Sequence, residues 1–339
     1  MKIFQAIGEK TENCKRAISD FFYGIKVSVY RKFHKTEKPK KQNRRRAGER
    51  VFYVSVVLLP VIQFLIFYVL VNFNSIRLAF STYDMQTDSY SFSGFDNFAY
   101  VIENFSQLNL NLSTKYSLLF YVFGLLIGTP LALFFSFYIS KKMRGYGFFR
   151  IFLFFPQIIS SIILVIIYTF LVEDAIPQII YLISGERTEG VLTKAPFAAI
   201  VFYNIYMGFG SSVLLYSGAM SKIDESIVEA SELDGITPIR EFFSITMPLV
   251  FPTFSTFIVI GVAGVFINQH NLFSFFGEGA IDKGVSNVGY YIYVKVLGAK
   301  AASNDYGVLG ALGLLFSCVS IPITYAIRYL LNKVDPNEV

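Results

Sequence analysis

Residues 225–248 read ESIVEASELDGITPIREFFSITMP, a polar and acid-rich stretch between two apolar runs in the second half of the chain. Ser226 and Glu229 have the spacing of a capping box, so a short helix is predicted to begin there. Gly235 follows Asp234 and can adopt the left-handed conformation that commonly ends a helix. The first half of the stretch therefore predicts one helix followed by a turn.

The second half of the stretch predicts another helix. Thr237 suits the N-cap and Pro238 suits the first helical position. Pro248 is expected to stop this helix before the next apolar run begins. The stretch holds no nucleophile beside a general base, so a docking surface fits it better than a catalytic site.

The rest of the chain is strongly apolar. Of its 339 residues 54% are hydrophobic and 16% are charged, whereas a soluble domain carries about 25% charged residues. Six blocks free of Asp, Glu, Lys and Arg are long enough to cross a bilayer, which takes about 20 residues, and backbone in lipid must be helical or form a closed barrel. An all-α integral membrane protein is predicted, with spans at 51–73, 116–139, 151–172, 197–220, 249–272 and 306–327.

The basic residues predict how the chain is oriented. Of the 30 Lys and Arg, 23 lie in both ends of the chain and in the gaps before the third and fifth spans, at 1–50, 141–150, 221–248 and 328–339. Cytoplasmic segments carry such an excess, so both termini and the 221–248 loop are expected inside, with the loop parallel to the membrane. The net charge of +6 fits this topology and an anionic lipid surface, and we do not interpret it as nucleic-acid binding.

Several classes of function are excluded by missing motifs. The chain has no phosphate-binding loop, no H-E-x-x-H, no C-x-x-C and no G-x-S-x-G, so no catalytic residue, cofactor or metal is expected. The predicted spans lack carboxylates, which argues against ion coupling and requires a partner to supply the energy for pumping. Because unwound backbone can bind sodium, an ion-coupled or facilitative carrier for a neutral polar solute stays an alternative. A membrane scaffold without a transport path is the third reading.

Neutral polar side chains do occur in the spans, among many Tyr and Phe. Gln157, Asn204, Asn268 and Gln269 could donate to and accept from an uncharged, hydroxyl-rich solute, and aromatic faces could cover the apolar side of a sugar. The alternative is that each amide joins two helices by a hydrogen bond. His270 is the one His among the six blocks.

EASELDGITPIREFFSITMP resembles the EAA motif in the membrane subunits of binding-protein-dependent ABC importers. The matching residues are Glu229, Ala230, Asp234, Gly235, Phe242, Ile245 and Pro248, while Ser231 and Ile236 stand where that family usually has Ala. The similarity covers most of residues 50–332. It is closest in character to the carbohydrate-type first permeases, of the maltose, glycerol-phosphate and multiple-sugar kind, without a large inserted outer domain.

The resemblance implies a six-transmembrane-helix ABC importer permease fold with a cytoplasmic EAA coupling helix, in a bacterial cytoplasmic membrane. It implies three partners: a second homologous permease, an ATPase subunit dimer that binds the loops, and an extracytoplasmic solute-binding protein. The residues that it assigns to ATPase coupling are Glu229, Ala230, Ser231, Asp234, Gly235, Phe242 and Pro248.

The same resemblance implies solute contacts on the spans before and after the loop. Asn204, Gly208 and Asn268 fall on such positions, and Met207, Ser211 and Gly264 are further candidates. A carbohydrate is the expected solute, while glycerol phosphate, a polyamine or a peptide stay open. The site could also be vestigial if the partner permease alone holds the solute.

The first 50 residues fall outside the resemblance. They carry half of the Lys and Arg, and apolar residues recur at helical spacing from Ile3 to Phe33. This pattern predicts a basic cytoplasmic extension with an amphipathic helix on the inner lipid surface, followed by a permease domain over 51–332.

Overall fold

The computed structural model describes residues 40–84, 86–299 and 305–336. The amphipathic helix predicted between Ile3 and Phe33 lies outside these residues. Chain contacts divide the protein into two units, Met1–Asn72 and Phe73–Val339. The first unit contributes most of one long helix, and the second holds every other described element.

The described residues form twelve helices and one hairpin. Helix α1 runs from Lys40 to Ala79, and the others are α2 (Asp96–Glu103), α3 (Leu110–Ser140), α4 (Tyr146–Ile158), α5 (Ser161–Ser184), α6 (Val191–Lys194), α7 (Pro196–Met220), α8 (Glu225–Leu233), α9 (Pro238–Ala263), α10 (Leu272–Phe276), α11 (Val288–Ala299) and α12 (Asp305–Val334). Strands β1 (Ser81–Asp84) and β2 (Ser89–Phe92) pair antiparallel, with Tyr83 opposite Tyr90.

Within the described residues, six helices are long and apolar enough to cross a membrane. They are Phe52–Ala79 of α1, α3, α5, α7, α9 and Tyr306–Val334 of α12. The predicted number of spans is therefore confirmed. Four of these helices contain a π-helical turn, at Phe64–Leu70, Gly124–Gly128, Leu171–Ala175 and Phe242–Thr246.

The predicted third span, 151–172, was wrong in its bounds. Helix α4 ends at Ile158, where Ile159 is extended and Ser160 is also non-helical, and a new helix begins at Ser161. The apolar run continues across this break, so composition could not reveal it. Helix α5 also continues past the predicted end through Glu173, whose carboxylate leaves the helix to accept from the backbone N–H and the hydroxyl of Thr193 at 2.9 and 3.0 Å.

The predicted fifth span, 249–272, was also displaced. Pro248 does not stop a helix, because α9 runs without interruption from Pro238 to Ala263. A π-helical turn over Phe242–Thr246 lies within this helix and ends two residues before Pro248. Proline is tolerated where the ladder of backbone hydrogen bonds is already rearranged. At its other end the helix stops early, and the loop 264–271 that follows contains His270 and Asn271 with φ of 51° and 59°.

Helices α3 and α7 form the centre of the second unit. The Ser136 hydroxyl of α3 donates to the carbonyl of Val213 in α7 at 3.0 Å. Near the 221–248 segment, α3, α7 and α9 share one buried apolar cluster: Ala132, Leu133, Phe137, Ile139, Val213, Tyr216, Met220, Phe242 and Val250. This packing connects the segment that follows α7 to the middle of the bundle.

Candidate functional site

Helix α8 and the turn after it have the predicted helix–turn–helix shape, with one correction at the start. The N-cap is Asp224, whose Oδ1 accepts from the backbone N–H of Ser226 at 3.0 Å and from its hydroxyl at 2.9 Å. The backbone hydrogen bond from Ser226 lowers the pKa of Asp224. The predicted capping box of Ser226 and Glu229 is therefore wrong, because an aspartate two residues earlier occupies the capping position.

The turn itself follows the sequence. Asp234 closes α8, and Gly235 has φ of 71°, in the left-handed region. Thr237 is extended at the N-cap of α9 and Pro238 is its first residue, although the Thr237 side chain makes no capping hydrogen bond. Gly235 therefore has a backbone conformation that a residue with a side chain would adopt only with strain.

One face of this segment is open. Glu229, Ala230, Asp234 and Gly235 are exposed. Two apolar side chains that the sequence reasoning passed over stand out beside them, with Leu233 89% and Ile239 74% exposed. Acids beside protruding aliphatic side chains make an amphipathic patch, and a patch of this kind suits protein docking.

The opposite face is buried. Ser231 is 4% exposed, and its hydroxyl donates to the Val228 carbonyl at 2.7 Å. Phe242 is 3% exposed and stacks on Phe134 at 4.8 Å between ring centroids, with Phe137 edge-on at 5.3 Å. The predicted coupling residues therefore divide into an exposed set and an anchoring set, and Pro248 lies half-buried inside α9.

Two adjoining cavities lie among α3, α7, α9 and the loop 264–271. The larger, of about 640 Å³, is lined by Phe120, Tyr121, Gly124, Leu125, Thr129, Ser212, Tyr216, Phe257, Ile258, Ile260, Gly261, Gly264, Val265, Ile267, Asn268 and His270. The smaller, of about 390 Å³, adds Gly128, Val201, Asn204, Ile205, Met207, Gly208 and Phe209 to part of that set. All of the polar side chains among these are neutral hydroxyls, amides or the imidazole.

The structure brings most of the predicted solute contacts to these cavities. Asn204, Met207, Gly208 and Asn268 line the smaller cavity, and Gly264 and Asn268 line the larger. A Cβ built on Gly208 would meet no atom within 4 Å, as expected for a glycine that opens space beside Asn204.

Ser211 lies elsewhere. It accepts a hydrogen bond from Gln157 Nε2 of α4 at 2.8 Å and lines neither cavity, whereas the next residue, Ser212, lines both. One step along a helix turns a side chain through about 100°, and the sequence alone did not fix which of the two serines faces inward.

The two amides also hold the loop in place. Asn204 Nδ2 donates to the carbonyls of Ile200 at 2.9 Å and His270 at 3.1 Å. Asn268 Oδ1 accepts from the backbone N–H of His270 at 2.8 Å. Holding the loop in place and contacting a solute are therefore compatible roles for these two amides, because each side chain shapes the cavity wall that it lines.

Aromatic groups cover one side of the cavity. The His270 ring stacks on Phe120 at 4.7 Å, and burial lowers the pKa of His270 to about 4, so the imidazole is neutral at pH 7. The lining groups missed from sequence include Phe120, Tyr121, Thr129, Ser212 and His270. The one feature of the sequence that could have indicated this cavity was His270, the only His in the apolar blocks. The other lining groups lie in runs that are typical of lipid-facing helices.

Among the described residues no group of three or more His, Cys, Asp and Glu could hold a metal ion. A neutral wall of hydroxyls, amides and rings can hydrogen-bond and stack on an uncharged polar molecule, and it offers no counter-charge for an ion.

Residues 121–336 match the family described as the binding-protein-dependent transport system inner membrane component. A probable ABC transporter permease protein of Mycoplasma pneumoniae is 28% identical over 62% of this chain and 65% of its own length. The multiple sugar-binding transport system permease protein MsmF of Streptococcus mutans is 21% identical over 82% of this chain and 93% of its own.

The fold also matches a solved structure. The bacterial alginate ABC transporter in complex with an alginate pentasaccharide-bound periplasmic protein contains a chain that superposes with a TM-score of 0.68 at 20% identity, covering 86% of this chain and 98% of that one. The family match over residues 121–336 covers more than half of the chain. The protein therefore belongs to the family of binding-protein-dependent transport system inner membrane components.

Proposed function

We propose that this chain is the transmembrane permease subunit of an ATP-driven importer that carries a carbohydrate across the bacterial cytoplasmic membrane by alternating access. The observation that carries the solute class is the neutral cavity wall, in which Phe120 and His270 stack beside the amides of Asn204 and Asn268. Such a wall suits a hydroxyl-rich, uncharged molecule. It disfavours glycerol phosphate and polyamines, which need opposite charges to offset their desolvation.

Helix α8 and the turn at Gly235 are proposed as the coupling element. Their open face offers Glu229, Ala230 and Asp234 to an ATPase subunit, together with the protruding Leu233. Ser231 and Phe242 attach the same segment to the bundle. A displacement of the docked ATPase would then reach the bundle as a rigid-body motion.

The proposed assembly contains a second homologous permease, an ATPase dimer and an extracytoplasmic solute-binding protein. ATP hydrolysis belongs to the ATPase subunits, and this chain is non-catalytic. The excess of Lys and Arg in these segments supports a cytoplasmic location for both termini and the 221–248 loop. In this proposal residues 1–50 are a basic extension on anionic lipid and 51–332 are the permease domain.

Affinity purification and uptake test this proposal together. The tagged chain, purified in mild detergent, should retain a second permease and an ATPase. The reconstituted complex should accumulate a neutral mono- or oligosaccharide from a panel only when ATP and the binding protein are present. Uphill uptake by this chain alone would instead support a secondary carrier, and a complex active only on glycerol phosphate, a polyamine or a peptide would refute the carbohydrate assignment.

A further inference from the structure

A cluster of three charges joins α3, α8 and α9 at the end of the bundle that faces the proposed ATPase. Lys141 caps the C-terminus of α3. Its Nζ lies 2.7 Å from Glu241 Oε1, in the first turn of α9, and 3.3 Å from Glu232 Oε1, near the end of α8. One ammonium therefore contacts both helices of the coupling segment.

The two ion pairs differ in their surroundings. The Glu241 side chain is 4% exposed and that of Lys141 22%, whereas Glu232 is 65% exposed. A buried carboxylate is strongly destabilising when its counter-charge is removed, while an exposed pair is screened by water and contributes little. Lys141–Glu241 is thus the fixed contact, and Lys141–Glu232 is the adjustable one that reaches α8.

The helix ends reinforce this arrangement. The C-terminal end of a helix favours a cation and the first turn favours an anion. Lys141 is the C-cap of α3, and Glu241 lies in the first turn of α9. Beside Glu241, Phe242 stacks on Phe134 of α3. Charge and ring stacking therefore bind the start of α9 to the end of α3.

Helix α3 continues from this cluster to the cavity wall. It spans Leu110–Ser140 and contributes Phe120, Gly124 and Thr129 to the lining of both cavities. A displacement of α8 that reaches Lys141 is thus applied to the same helix that shapes the solute site.

We propose that Lys141 is a positioning residue that clamps α8 and α9 to α3 and so transmits the ATPase stroke to the cavity. This inference rests on the proposed function. Lys141 lines neither cavity. It acts by keeping Glu232 and Glu241 in register with the end of α3.

The test uses the whole reconstituted complex, measuring sugar uptake and ATP hydrolysis in the same proteoliposomes. Lys141→Met alone would leave Glu241 buried without a partner, so Lys141→Met combined with Glu241→Gln is the informative variant. It removes both charges and is expected to restore assembly while uptake per ATP falls at least about tenfold. Lys141→Arg should retain more than half of wild-type coupling.

A milder pair of variants does not depend on the buried charge. Glu232→Gln is expected to lower uptake per ATP about two- to fivefold, in keeping with the small contribution of an exposed ion pair. Glu225→Gln neutralises another exposed acid of the same helix, one that makes no contact with Lys141, and should leave the ratio unchanged.

Two results would overturn the inference. Wild-type uptake per ATP in the double neutral variant would show that the clamp transmits nothing, and equal ratios in Glu232→Gln and Glu225→Gln would remove the link to α8. In either case a wild-type complex that transports sugar leaves the proposed function intact. A wild-type complex that transports no sugar would refute the proposed function, and the clamp with it.

Discussion

Replacing Gly235 with alanine should uncouple the transporter without disturbing its fold. Gly235 has φ of 71°, and a Cβ built there would meet no atom within 4 Å. The cost is therefore purely conformational, about 1–2 kcal/mol for an L-residue in the left-handed region. That energy lowers the population of the observed turn by a factor of about 5–30.

The turn sets the angle between α8 and α9, so the docking face should lose affinity for the ATPase by about the same factor. The assay is ATPase binding to the purified permease pair, followed by sugar uptake at limiting ATPase. Gly235→Asn should be affected less than Gly235→Ala, because asparagine adopts positive φ several-fold more often than most residues.

Gly94 offers a matched control. It has φ of 63°, and a Cβ built there would also meet nothing within 4 Å, but it lies between β2 and α2. Gly94→Ala should therefore carry a similar strain and leave ATPase binding within about twofold of wild type. If Gly235→Ala and Gly94→Ala bound the ATPase equally well, the turn at Gly235 would have no role in docking.

Three further predictions concern the cavity. Asn204→Ala and Asn268→Ala should reduce sugar uptake at least about tenfold and basal ATP hydrolysis less than twofold, and unchanged uptake kinetics would leave both amides as purely structural. Ser212→Ala should raise the KM for uptake about two- to tenfold. Ser317 is the matched control, because its hydroxyl donates to a carbonyl of its own helix at 2.8 Å, as the hydroxyl of Ser212 does at 3.0 Å. Ser317 lines neither cavity, so Ser317→Ala should leave the KM unchanged. Burial lowers the pKa of His270 to about 4, so the unfolded chain takes up a proton first and the free energy of unfolding should fall as the pH drops from about 6.5 towards 4. Thermal unfolding in detergent across this pH range would measure the loss of stability, which should be smaller in His270→Gln than in the wild type. A pH profile that is the same in both proteins would show that the imidazole is not buried in its neutral form.

The sequence predicted the features that local chemistry determines. The left-handed Gly235 and the helix start at Pro238 were both correct, because the backbone preferences of glycine and proline operate within a few residues. The number of spans was correct too, since it depends only on the lengths of uncharged runs. The assignments failed where several residues compete for one role, as when Asp224 rather than Ser226 capped α8.

Features that depend on distant contacts could not be predicted in the same way. The break at Ile159 and Ser160 lies inside one apolar run, so its composition matches that of the helices on either side. The serine that faces the cavity, Ser212, is set by the packing of α7 against α3 and α4. Nothing within the segment 221–248 marks Glu241 as buried, because its partner, Lys141, belongs to another helix.

The two faces of the coupling segment answer opposite physical requirements. A docking face must stay exposed, as Leu233 and Glu229 do. An exposed contact alone would transmit little force, because water can replace it. The anchoring face supplies stiffness through the buried ring of Phe242 and the desolvated Glu241, neither of which can leave its position without a large cost. An ATPase stroke applied to α8 would therefore meet less resistance in moving α3 as a body than in separating α9 from it, and rigid displacement of a cavity-lining helix is what alternating access requires.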